Sequence, residues 1–144
     1  MKRVYEVEIP SLYYENKFVT IHFPSKKDAE YFVNEALCCE KEAKPKINYS
    51  PCEEYPDDIS WYIIGNRYVY TIWYAKESWK CTFVGYHMDT AERHDIVFGD
   101  PDKGLEVVIL STNCKDALDR GKDLINKAKE AGPWNKDNRL GYLR

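Results

Sequence analysis

Two stretches of this chain carry the same strand, cap, helix pattern. Val19 to Ala43 and Val107 to Ala131 align without a gap over 25 positions at an offset of 88, with eight identities: Val19/Val107, Ile21/Ile109, Lys27/Lys115, Asp28/Asp116, Ala29/Ala117 and the Lys-Glu-Ala ends at 41–43 and 129–131. An alternating strand must bury one face, and a helix with an apolar stripe must bury that stripe. The two units therefore predict two helices laid on one sheet, with their capped starts at corresponding places.

Each unit has its own start and stop signals. Ser25-Lys26-Lys27-Asp28 forms a capping box in which the Ser25 hydroxyl takes an orphan amide and Asp28 suits the positive end of the helix. Ala29, Phe32, Val33, Ala36 and Leu37 then make one helical stripe, predicted to end near Ala43, before Pro45. The second helix begins after an Asn113 cap with Asp116 three residues on, and its stripe is Ala117, Gly121, Leu124, Ile125 and Ala128. Gly132-Pro133 stops it.

The rest of the chain reads mainly as strands. Val4 to Ile9 and Lys17 to Phe23 alternate as a hairpin would, with Tyr5, Val7 and Ile9 on one face of the first and Val19, Ile21 and Phe23 on one face of the second. Residues 44–58 carry Pro45, Pro51 and Pro56 among acids and read as a long exposed loop. Ile59 to Ile64 and Arg67 to Ala75 flank Gly65-Asn66, which supplies the positive φ angles of a tight hairpin turn. Trp79 to Met88, a short strand near Asp95 to Phe98, and Leu105 to Leu110 complete a meander. The order β-β-α-β-β-β-(β)-β-α predicts an α+β fold: a mainly antiparallel sheet of about six or seven strands with two helices packed on it. One domain is expected over 1–132, with 133–144 as a tail that Trp134, Leu140, Tyr142 and Leu143 could dock.

Composition removes several functional classes. The chain has 144 residues, 44% apolar and 31% charged, with a net charge of −3, so nothing steers it to nucleic acid or an anionic membrane. No apolar run reaches the ~18 residues of a membrane span. Five cysteines without Cys-x-x-Cys spacing, Cys38, Cys39, Cys52, Cys81 and Cys114, read as reduced thiols in a cytoplasmic protein. No metal or other cofactor is expected, and the pairs Glu53/Glu54, Asp57/Asp58 and Asp100/Asp102 lack calcium-loop spacing.

Aromatic side chains are the main functional clue. Trp61, Tyr62, Tyr68, Tyr70, Trp73, Tyr74 and Trp79 crowd the central strands, and Tyr and Trp anchor protein interfaces because they combine large area with few rotors. These seven are predicted to form a sheet face for a protein partner, or for a second copy in a homo-oligomer. The expected activity is non-enzymatic: a stoichiometric antagonist of the kind that phages and mobile elements carry, anti-CRISPR proteins among them, which are often small, motif-poor and tyrosine-rich. The alternative is a small, nucleotide-like ligand held at a helix start by Ser25 or Asn113. A third reading makes Cys114, at the positive end of the last helix, a catalytic nucleophile served by a distant His22, His87 or His94.

Overall fold

The alternating N-terminal segments pair as their periodicity predicts. In a computed structural model describing residues 2–11, 16–37, 45–84, 93–135 and 141–144, Lys2–Pro10 (β1) and Phe18–Phe23 (β2) are antiparallel, with Tyr5 opposite Phe23, Val7 opposite Ile21 and Ile9 opposite Val19. Ile47–Cys52 (β3) adds to the other edge of β1, with Tyr49 opposite Tyr5. The sequence reading puts this segment in a loop because of its prolines. It is an edge strand instead, where a proline can leave its missing amide on the unpaired side.

The remaining strands form a second, larger sheet. Arg67–Ala75 (β5) lies at its centre, with Gly104–Ser111 (β8) on one side and Ser78–Val84 (β6) on the other. Val97–Asp100 (β7) lies beyond β8. The two-residue strand Ile63–Ile64 (β4) pairs with the start of β5 across Gly65 and Asn66, whose φ angles of 52° and 67° are those the hairpin turn requires. The strand expected over 59–64 is thus a 3-10 turn, Ile59–Trp61, followed by β4. The strand expected from Asp95 starts at Val97 instead, because Asp95 is left-handed (φ 64°) and gives its amide to the Val108 carbonyl at 2.8 Å. The end expected for β6, at Met88, falls outside the described residues.

Both helix caps form. Ser25 Oγ accepts from the Asp28 amide (3.1 Å) ahead of Lys26–Tyr31 (α1), and Asn113 Oδ1 accepts from the Asp116 amide (2.7 Å) ahead of Cys114–Ala131 (α2). α1 continues through a π turn, Phe32–Ala36, and Leu37 is already extended at ψ 138°. The Tyr70 hydroxyl donates to the Ala36 carbonyl at 2.5 Å at the end of this turn, and the helix end expected near Ala43 lies outside the described residues. The two repeated units are therefore β2–α1 and β8–α2, but β2 is an edge of the small sheet and β8 is internal to the large one. Their likeness is local, and the single sheet expected beneath both helices is two sheets.

One continuous core joins them. Phe32 of the π turn sits 5.1 Å from the Phe23 ring on the small sheet, and 5.9 and 5.6 Å from Tyr68 and Phe83 on the large one. Val7, Ile21 and Ala36 belong to the same buried cluster as Tyr70, Ile72, Ile109 and Ile125. α2 lies close on β5 at Gly121, where a Cβ atom would come 2.3 Å from Ile72 Cγ1. At the C-terminus, Leu143 pairs with the β7 edge through Gly99 N to Leu143 O (2.7 Å) and Leu143 N to Val97 O (2.8 Å). Of the expected tail, Tyr142 is buried and Leu143 docked, while Leu140 lies outside the described residues.

Two expectations follow. Gly121→Ala should gain about 1 kcal/mol of helix propensity and lose more to overpacking, typically 1–3 kcal/mol, so chemical denaturation should show net destabilisation. Burial, reinforced by Cys81, Tyr68 and Tyr31, pushes the Tyr70 hydroxyl well up, and burial with Tyr31 and Asp28 pushes Tyr68 up to about 12. Above the ordinary tyrosine value of 10.0 the unfolded chain releases protons that the folded chain keeps, so stability should fall as pH climbs from there through about 12. Urea titrations across that window should show a shallower loss for Tyr70→Phe, at a neutral-pH cost of about 1–3 kcal/mol for the orphaned Ala36 carbonyl.

Candidate functional site

The residues predicted to meet a partner are for the most part used by the protein itself. Along β5, Tyr68 and Tyr70 are buried in the shared core. Tyr62 stacks on Phe83 at 5.7 Å. Tyr74 and Trp79 pack together at 4.6 Å and lie under α2, with Lys129 Nζ 4.1 Å from the Tyr74 ring and Lys122 Nζ 5.7 Å from the Trp79 ring. Trp73, on the opposite face of β5, is 40% exposed and lies over Gly104. The side chain of Trp61 is outside the description. The aromatic face is thus turned inward, because Phe32 of the π turn and α2 both pack on it.

The helix-start residues are likewise engaged. The Ser25 and Asn113 side chains each accept from one first-turn amide, that of Asp28 and that of Asp116. Around the second cap, Ser111 Oγ donates to Asp116 Oδ2 (2.6 Å) and Arg120 Nη1 donates to the Leu110 carbonyl (2.7 Å). These bonds fasten α2 to the end of β8.

Cys114 is the first residue of α2 and is disulfide-bonded, whereas Cys52 and Cys81 carry thiols. A sulfur held in a disulfide has no thiolate with which to attack. Cys38 and Cys39 lie outside the described residues, as does His87.

His22 occupies a different kind of setting. Asp58 Oδ2 lies 2.6 Å from Nδ1, Asp58 Oδ1 accepts from the His22 amide at 2.9 Å, and Glu6 Oε1 lies 3.3 Å from Nε2. The Tyr55 hydroxyl donates to the His22 carbonyl (3.0 Å) and burial pushes its pKa up, with Asp58, Asp57 and Asp28 adding to the shift. Both ring nitrogens are committed to carboxylates on opposite edges, so those carboxylates cannot converge on one ion. Among the described residues no group of three or more His, Cys, Asp or Glu side chains could hold a metal. The arrangement ties the acidic 53–58 segment back onto the small sheet, so this segment is a latch and not the free loop its composition predicts.

A concave apolar surface lies elsewhere, where the C-terminal segment returns to β7. A cleft of about 370 Å³ is lined by Ile96, Val97, Leu124, Trp134, Gly141 and Leu143, with Asp95 and Lys127 as its polar members. Ile96 is 40% and Trp134 49% exposed. Asp95 holds its left-handed backbone (φ 64°) beside Ile96, anchored by His94 Nδ1 at 3.0 Å and Arg120 Nη2 at 3.7 Å. Such a conformation costs a non-glycine residue of order 1 kcal/mol and persists only when its surroundings hold it. Sequence reasoning marks Trp134 only as a docking residue for the tail and places Ile96 only within a short strand, with nothing in the sequence to join the two.

No helix among the described residues is long and apolar enough to cross a membrane. Comparison with protein families, characterised proteins and solved structures yields no match to this chain.

Removing the latch should be measurable. Asp58→Ala deletes both bonds to His22 and should cost about 1–3 kcal/mol. Limited proteolysis should then cut within residues 53–58 well before the wild type is cut, and equal cutting rates would show that the latch holds nothing.

Proposed function

We propose that this protein acts without catalysis, as a cytoplasmic binding protein that docks a protein partner at the cleft between β7, α2 and the C-terminal segment. The observation that carries this reading is the exposure of Ile96 and Trp134 together on the rim of one apolar concavity. An exposed aromatic and an exposed aliphatic side chain flanking an apolar hollow have the composition of an interface centre, and burying them on a partner would recover area that folding leaves wet. A stoichiometric antagonist needs no more than such an anchor. Neither the caged His22 nor the disulfide-bonded Cys114 offers a group ready for acid–base or nucleophilic work, and this supports binding over turnover.

A small apolar ligand is the second reading, favoured by the volume of the cleft, which falls in the ~300–1,000 Å³ range of ligand pockets. It would rest on the cleft residues and not on Ser25 or Asn113.

The test compares wild type with Trp134→Ala and Ile96→Asp in affinity capture from the producing cell, alongside native mass spectrometry of the purified protein. A partner enriched at fixed stoichiometry by the wild type and lost at least tenfold by both folded variants is the expected result. The same partner retrieved equally by all three would move the interface away from the cleft. A retained small mass that both variants lose would favour the ligand reading.

A further inference from the structure

The binding reading uses neither the edge of the small sheet nor the latch that touches it. A bare edge strand is a template for another strand unless something spoils it. Leu143 bonds to β7, Pro51 interrupts β3, and Lys80 sits at the middle of β6. β2 has none of these devices. Phe18–Phe23 contains no proline and no Lys, Arg, Asp or Glu, and Val19, Thr20 and Ile21 are β-branched residues between two aromatic ends. It pairs with β1 on one side, and among the described residues no strand pairs with the other.

The hydrogen bonds identify the groups along that open side. In an antiparallel strand alternate residues send both backbone groups the same way. The His22 amide donates to Asp58 Oδ1 (2.9 Å) and its carbonyl accepts from the Tyr55 hydroxyl (3.0 Å), so both point away from β1. The Lys17 carbonyl, of opposite parity, accepts from the Ser11 amide at the end of β1 (2.7 Å). Phe18 and Thr20, in step with His22, therefore turn their amides and carbonyls outward, and both residues are exposed, Phe18 at 62%. The Asp58 and Tyr55 side chains stand where the backbone of a neighbouring strand would, at one end of the edge only.

We propose that the outer edge of β2 is a self-association surface for β2 of a second copy, and that the latch of residues 55–58 is its guard. The occupant follows from symmetry. Two such strands run antiparallel about a two-fold axis at Thr20, which sets Thr20 opposite Thr20 of the second copy and Phe18 opposite its His22. Every outward backbone group then has a partner, and the strand brings no carboxylate or ammonium to oppose its own copy. The arrangement needs the amide and carbonyl of His22, so the latch has to release them. With the latch closed, only the central Thr20 pair can form. At ~3.4 Å per residue the edge is about 20 Å long. That is too little for the area of a permanent dimer, so association is weak and governed by concentration and by the latch.

The experiment measures molar mass by sedimentation velocity across a concentration series of the full-length protein. Asp58→Ala, checked for folding by circular dichroism, should dimerise at a roughly tenfold lower concentration than the wild type, because it frees a hydrogen-bonded end of the edge. Thr20→Pro added to Asp58→Ala should restore the monomer, since an outward edge amide is a position that tolerates proline and its loss breaks the pair at the axis. Amide exchange of the wild type provides a check that needs no variant: the Phe18 and Thr20 amides should slow as concentration rises. Equal self-association of wild type and folded Asp58→Ala, a dimer that survives Thr20→Pro, or exchange at Thr20 independent of concentration would each overturn the proposal.

Discussion

Phe32 is the side chain on which the two halves of this protein meet. A three-stranded sheet has too little area to bury a core of its own, and β1, β2 and β3 are stable only if their apolar face is covered. The π turn that follows α1 supplies the cover, placing Phe32 against Phe23 on one side and against Tyr68 and Phe83 on the other. Tyr70 then fixes that turn from below through the Ala36 carbonyl, and Tyr31 reaches across to the Thr112 carbonyl at 2.5 Å, tying α1 to the start of α2.

That use of aromatics takes most of the central aromatic residues into the core. Tyr and Trp serve equally well in a core and at an interface, because the physical property is the same: a large apolar body with one polar tip that must find a partner. Here the tips of Tyr70 and Tyr31 find backbone carbonyls, and the rings of Tyr74 and Trp79 lie under the ammonium groups of Lys129 and Lys122 on α2. Phe18, Tyr31, Tyr49 and Trp73 remain exposed singly, whereas exposed Ile96, beside the left-handed Asp95, and exposed Trp134, after the end of α2, share one concavity at the C-terminal seam.

Much of the secondary structure was legible. The caps at Ser25 and Asn113, the Gly65-Asn66 turn, the stop at Gly132 and the pairing of β1 with β2 all follow from local chemistry that needs no partner elsewhere in the chain. β3 was not legible, since three prolines and a run of acids argue for a loop and only the open edge of β1 makes residues 47–52 a strand. The candidate site was less legible still. Its rim residues come from a bend at 95–96, the helix end and the last four residues, and no spacing in the sequence joins them.

The sequence by itself determined an α+β chain with two capped helices and mainly antiparallel strands, because periodicity, caps and turns act over a few residues. Tertiary structure alone decided that the strands divide into two sheets, that the aromatic face is turned inward, that the 53–58 segment is held to His22, and that Cys81 sits beside Cys114. Each of those outcomes depends on which surfaces are left unburied once the local elements exist. That is a competition among distant parts of the chain, and its result appears only when they pack.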